Sequence, residues 1–169
     1  MRAADTGLYV IMGVSGSGKS TIGAALARAL GVEFVEGDEL HTAENVRRMA
    51  AGIALTDADR HGWLVAIAGR LRDAKRAGVG LVVSCSALKR SYRELLRSVG
   101  VADVRFIYLS GSRALISQRI AGRYDHFMPP TLLESQFAIL EEPTPDERVW
   151  TCDITQPPNV IVADLLRRI

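Results

Sequence analysis

Cysteine is scarce in this chain: Cys85 and Cys152 are the only two, 67 positions apart, each ending an apolar run. That context predicts two buried thiols at strand ends. Nothing around them supports a disulfide, and no zinc-ligand spacing exists. Long apolar runs are also missing. The stretch from Leu8 to Val14 is too short to span a bilayer. It lacks the charged flank and cleavage site of a signal peptide, so the expected location is cytoplasmic, with no membrane partner. An excess of one charge is absent too. The 21 basic and 19 acidic residues leave a formal net charge of +2, which removes the electrostatic case for nucleic acid or an anionic membrane. Repeats and low-complexity segments are not found. What remains is 169 residues, 48% hydrophobic and 24% charged, enough for one soluble domain with a full core.

Leu8-Tyr9-Val10-Ile11-Met12 is a continuous apolar run ending at Gly13. It has the pattern of a strand buried on both faces in a parallel sheet. Ile22, Leu26 and Leu30 predict a helix over Thr21 to Leu30, stopped by Gly31. Val32 to Val35 predicts a second strand. Thr42 to Met49 predicts a helix with Thr42 as its cap, and Thr56 caps a longer one reaching Ala77. Leu81 to Cys85, Val104 to Leu109 and Val149 to Cys152 predict the remaining strands. Leu88 to Val99, Arg113 to Ile120, Thr131 to Leu140 and Val160 to Ile169 predict the remaining helices. Strands alternating with helices imply an α/β fold with a parallel sheet and right-handed crossovers.

Gly13-Val14-Ser15-Gly16-Ser17-Gly18-Lys19-Ser20 matches G-x-x-x-x-G-K-[ST] without a mismatch. Glycines let the backbone turn tightly so that successive N–H groups face an anion. The helix opening near Lys19, through Ser20 and Thr21, adds the positive end of its dipole. Lys19 can reach the β- and γ-phosphates of a nucleotide such as ATP, and Ser20 offers a hydroxyl to Mg²⁺. The loop follows a buried strand and precedes a helix, the context this motif requires. It leaves open a kinase, a nucleotide hydrolase or a switch protein.

Asp38 follows the second strand, at the sheet edge where ligands bind in open α/β folds. A carboxylate there can take the proton of an attacking hydroxyl or hold a water on Mg²⁺. A solvated turn aspartate after Gly37 fits the same spacing. Glu36 and Glu39 are weaker candidates for the same work. His41 can hydrogen-bond a polyol or cap a turn. Arg47 and Arg48 can bind a carboxylate or form a solvated helix face. Asp57 and Asp59 suit the first turn of a helix whatever their function, an explanation that covers Arg60 poorly. Ser84 and Ser86 end the third strand, where many phosphate-loop enzymes carry a magnesium-binding aspartate. Metal binding then rests on Ser20, the phosphates and water. Lys89, Arg90 and Arg93 lie near the same edge and can meet an anionic substrate or stay solvated.

Arg119 to Pro130 is rich in arginine and aromatics and is broken by Gly122 and Pro129. It has the composition of a lid whose arginines, Arg119 and Arg123, reach the transferring phosphate and exclude water. Gln156 and Pro157, after the last strand, can wrap an adenine or simply turn the chain.

Together these residues resemble the gluconate kinases of the small P-loop type, related to shikimate kinases and nucleoside monophosphate kinases. The similar segments are Met12 to Ser20, Gly37-Asp38 with His41, Asn45 with Met49 and Gly52, and Leu55-Thr56-Asp57 with Asp59-Arg60 and Trp63-Leu64. They continue with Cys85 to Lys89, Tyr92-Arg93, Phe106 to Leu109, Arg119, Arg123, His126-Phe127 and Gln136-Phe137. The resemblance implies a single P-loop NTPase domain over 1–169, three-layered, with a five-stranded parallel sheet of order 2-3-1-4-5. It also implies an acceptor-binding helical region near 38–78 and a helical lid near 119–131. It implies transfer from ATP to the 6-hydroxyl of D-gluconate with Mg²⁺, in carbohydrate acid catabolism, by a homodimer. Asp38, the phosphate loop and the lid arginines keep the roles above, and His126 joins the substrate contacts. Three positions depart from the family pattern: Arg48 for lysine, Ala54 for proline, and Tyr124-Asp125 for small residues. A shikimate-type kinase is the competing enzyme, but it carries Asp-x-Asp after strand two and a glycine triplet after strand three. Here Glu36-Gly37-Asp38 and Ser84-Cys85-Ser86 stand instead. A non-catalytic nucleotide-binding regulator is the competing class.

Overall fold

The computed structural model describes residues 4–122 and 129–169. Arg123, Tyr124, Asp125, His126, Phe127 and Met128 lie outside the described residues, so the roles expected of Arg123 and His126 fall there too.

The first half of the chain forms β1 (Leu8–Met12), α1 (Lys19–Leu30), β2 (Glu33–Glu36), a 3₁₀ turn (Gly37–Leu40), α2 (Ala43–Ala50) and α3 (Asp57–Ala77). There follow β3 (Leu81–Ser84), α4 (Arg90–Leu95) running into a π-helical turn (Leu96–Gly100), β4 (Arg105–Ser110) and α5 (Arg113–Ala121). The chain closes with α6 (Pro130–Ile139), a 3₁₀ turn (Pro145–Glu147), β5 (Trp150–Asp153) and α7 (Pro158–Arg168). The strands run parallel in the order β2-β3-β1-β4-β5. Central β1 is buried along its whole length, which is why its sequence shows no alternation. Around this sheet, α1 packs beside α7, and α3 packs against α4 and the π-helical turn.

Two registers position the site. Glu36 pairs with Ser84, and Ser84 with Ile11. The carboxyl ends of β2, β3 and β1 therefore fall on one line beside the loop after β1, the edge that binds ligands in this class. The helix that covers this edge is well specified. Thr56 and Asp59 form a capping box, with N–H···O distances of 3.1 and 2.9 Å. Gly62 and Gly69 each cost α3 about 0.5–1 kcal/mol relative to alanine. Burial of Trp63, Leu64, Ile67 and Leu71 contributes about 1.5–3 kcal/mol per side chain and outweighs that cost.

The boundaries differ from the sequence expectation in identifiable ways. β2 and β5 each lie one residue later than predicted. The helix predicted from Leu88 starts at Arg90, because Ala87 has φ +44° and Lys89 is extended. The 3₁₀ turn at Gly37–Leu40 had no signal in the periodicity. Both cysteines are buried free thiols, and burial pushes Cys85 up to about 12.

Candidate active site

The loop from Gly13 to Gly18 has positive φ at Gly13, Gly16 and Gly18, and Gly18 caps α1. Gly16 is also pressed from below, since a Cβ there would lie 2.6 Å from Ile120 Cγ1. Tight curvature and close packing together exclude a side chain. The first N–H groups of α1 have no intrahelical acceptor, and the helix dipole adds positive potential, so this mouth suits an anion. Lys19 Nζ donates to Val14 O at 2.9 Å, which holds the ammonium over the loop. The Ser15 N–H donates to Gln136 Oε1 at 2.7 Å.

A narrow cavity of about 50 Å³ opens beside this loop. Lys19 and Ser15 line it from the loop, Asp38 and His41 from the segment after β2, Arg60 and Trp63 from α3, and Leu132 and Gln136 from α6. The 3₁₀ turn after Glu36 is what delivers Asp38 and His41 to this wall. His41 stacks on Trp63 with ring centroids 4.2 Å apart and planes 15° apart. Trp63 is locked in turn by its Nε1–H, which donates to Gly37 O at 2.8 Å. Burial lowers the His41 pKa below its ordinary 6.5, against the opposing pull of Asp38. The ring is therefore neutral at neutral pH and can both donate to and accept from a hydroxyl.

Arg60 is nearly buried and donates to Tyr92 Oη at 3.1 Å. The Tyr92 hydroxyl donates to Asp57, which also accepts from Lys89 Nζ at 3.0 Å. Hydrogen bonds from Tyr92 and Lys89 hold the Asp57 carboxyl below its ordinary range. Arg60, in the cavity wall, is thus linked through one phenol and one carboxylate to Lys89, which does not itself line the cavity.

On the other side of the loop, the Ser20 hydroxyl donates to Glu36. Ser84 Oγ donates to the second Glu36 oxygen at 2.5 Å and accepts from Gly37 N–H at 3.1 Å. The donors at this spot are hard oxygens, which fit Mg²⁺ rather than a soft metal. Among the described residues no group of three His, Cys, Asp or Glu side chains could hold a metal. Ser20, phosphate oxygens and water are the groups that would hold a cation here.

A family profile described as an AAA domain matches residues 8–143. The gluconokinase of Gluconobacter oxydans is 46% identical over 158 residues, covering 94% of this chain and 88% of its own. The chain belongs to the gluconokinase family. A gluconokinase structure from Sinorhizobium meliloti is 47% identical, with a TM-score of 0.85, over 96% of this chain and 90% of that one. An unliganded sugar kinase structure from Janibacter sp. is 44% identical, with a TM-score of 0.91, over 96% and 94%.

Within this gluconokinase-family site, several residues singled out in the sequence stand elsewhere. Arg93 is fully buried: its guanidinium binds Glu147 at 2.7 and 3.0 Å and donates to the carbonyls of Ala87, Leu88 and Glu141. It is an internal brace and does not line the cavity. Arg47 is exposed and paired with Glu44. Arg48 donates to both Asp59 oxygens at 3.0 Å, tying α2 to the start of α3. Neither lines the cavity. Arg119 donates to Ile154 O in the β5–α7 connection and does not line the cavity either. In that connection, Gln156 and Pro157 are exposed beside the Asp153 turn. Gly13 N–H is taken by Ser86 O and Ser17 N–H by Val14 O. These two bonds hold the shape of the loop. Gln136, Trp63 and Glu36 are the residues that sequence reasoning left without a role or ranked low. Only the fold, not spacing, brings Gln136 to Ser15.

Proposed function

We propose that this chain transfers the γ-phosphoryl group of ATP to the 6-hydroxyl of D-gluconate, giving 6-phosphogluconate and ADP, with Mg²⁺ as the required cation. The observation that carries this reading is the shared cavity. Lys19 of the phosphate loop and Asp38 of the acceptor wall face the same narrow space, in a chain of the gluconokinase family. The acceptor oxygen attacks phosphorus as the bond to ADP breaks, and its proton passes to Asp38. Lys19 and the N-terminus of α1 offset the charge on the phosphoryl oxygens. Ser20, with the phosphates, would hold Mg²⁺, which when bound would add further charge neutralisation. Neutral His41, fixed on Trp63, binds an acceptor hydroxyl, and Arg60 with Lys89 meets the acceptor's carboxylate. The family resemblance also supports a cytoplasmic homodimer. Among the described residues no helix is long and apolar enough to cross a membrane.

The test is incubation of the protein with MgATP and a panel of sugar acids. Gluconate-dependent ADP release is expected, and its absence would overturn the substrate assignment.

A further inference from the structure

Resting on that reading, we infer that Glu36 is the metal-side carboxylate of this site, filling the role left vacant by the missing acid at the end of β3. A hydroxyl that ligates a hard cation must turn its lone pairs to the metal and give its proton to another acceptor. A second requirement is negative charge close to the dication. The strand that commonly supplies such a group ends here in Ser84-Cys85-Ser86.

Glu36 meets both requirements. It accepts the Ser20 hydroxyl proton, which leaves the Ser20 lone pairs free for a cation. Its other oxygen accepts from Ser84 Oγ at 2.5 Å, and Ser84 Oγ is itself oriented by the Gly37 N–H at 3.1 Å. The register explains the reach. Glu36 lies across Ser84, and Ser84 across Ile11, the residue two positions before the loop. The carboxylate must therefore extend past the end of one intervening strand, roughly 4.8 Å wide. Glutamate is one methylene longer than aspartate.

Gly37 makes this placement specific. A Cβ at Gly37 would lie 1.9 Å from the Ser84 carbonyl oxygen. Any side chain would push the end of β2 away from β3 and draw Glu36 off Ser20. The 3₁₀ turn then separates two carboxylates only two residues apart. Asp38 lines the acceptor cavity, whereas Glu36 does not. Glu36 serves the cation, and Asp38 serves the hydroxyl.

The experiment measures Mn²⁺ binding to the enzyme–ADP complex by electron paramagnetic resonance, with ADP affinity in EDTA measured in parallel. Glu36→Gln preserves the shape and a hydrogen-bond acceptor but removes the charge. Loss of an outer carboxylate typically weakens metal affinity about 10–100-fold, and a fall of at least tenfold is expected. Metal-free ADP affinity should stay within about twofold, because Glu36 touches no phosphate-binding amide. Mn²⁺ affinity within about twofold of wild type in Glu36→Gln would overturn the assignment and leave Glu36 a brace between loop and sheet. Where Glu36→Gln does not fold, Ser84→Ala carries the test. It frees Glu36 to swing, so Mn²⁺ affinity should fall about threefold or more, and an unchanged value would overturn the assignment. Wild type that fails to bind Mn²⁺ with ADP would instead defeat the proposed function itself.

Discussion

The Gln136 side-chain oxygen accepts the Ser15 N–H at 2.7 Å. It thereby occupies an amide in the loop that the motif dedicates to phosphate. A nucleotide oxygen that claims this N–H must first displace Gln136. An intramolecular hydrogen bond contributes about 0.5–1.5 kcal/mol net. Gln136→Ala should therefore bind a non-hydrolysable ATP analogue about two- to tenfold more tightly in calorimetry. Weaker binding would show that Gln136 contacts the nucleotide rather than competing with it.

Asp38 lines the cavity opposite Lys19. If it accepts the hydroxyl proton, Asp38→Asn should lower kcat by about 10²–10⁴. Nucleotide affinity should be unchanged, because the phosphate loop remains intact. Steady-state rates combined with calorimetry separate the two effects. A kcat near wild type would remove Asp38 from the chemistry.

Arg93 and Glu147 have side chains 0% and 2% exposed. Removing one member of such a pair leaves a buried charge unmatched and costs about 3–5 kcal/mol. The Arg93 guanidinium also holds the carbonyls of Ala87 and Leu88, where Ala87 sits at φ +44°. Arg93→Met should lower Tm by on the order of 10 °C for a chain of this size. The double variant Arg93→Met, Glu147→Leu should recover part of that loss, and scanning calorimetry reads both. A Tm within a degree or two of wild type in the single variant would contradict the brace.

His41 carries a pH signature. Burial places its pKa below 6.5 in the folded chain, so between that lower value and 6.5 the unfolded chain binds more protons. Stability then rises with pH. The contribution is whole above 6.5 and is lost as pH falls through the folded value. His41→Gln should show a smaller drop in urea midpoint between about pH 7.5 and about pH 5.5 than wild type. Equal drops would place the pH dependence on other groups.

Much of the fold could be read along the chain because the deciding signals are local. The unbroken apolar run of β1 meant burial on both faces, and it is buried throughout. Thr42 and Thr56 announced two helix starts, and both side chains accept the N–H groups expected of caps. Basic residues were the hardest to read. Arg60, Lys89 and Arg93 look alike in sequence, yet Arg60 lines the cavity, Lys89 pairs with the exposed Asp57, and Arg93 is sealed against Glu147. Their fates depend on a partner carboxylate and on depth, and neither has a period or a spacing.

By itself, then, the sequence determined the order of strands and helices, the phosphate loop and the carboxylate after β2. Hydrophobic periodicity, capping and glycine conformation all act over a few residues. Tertiary structure alone decided that Glu36 reaches Ser20 across Ser84, that Gln136 meets Ser15, and which arginine faces the cavity. Those relations arise when strands and helices far apart in the chain align and pack, and no local stretch carries that alignment.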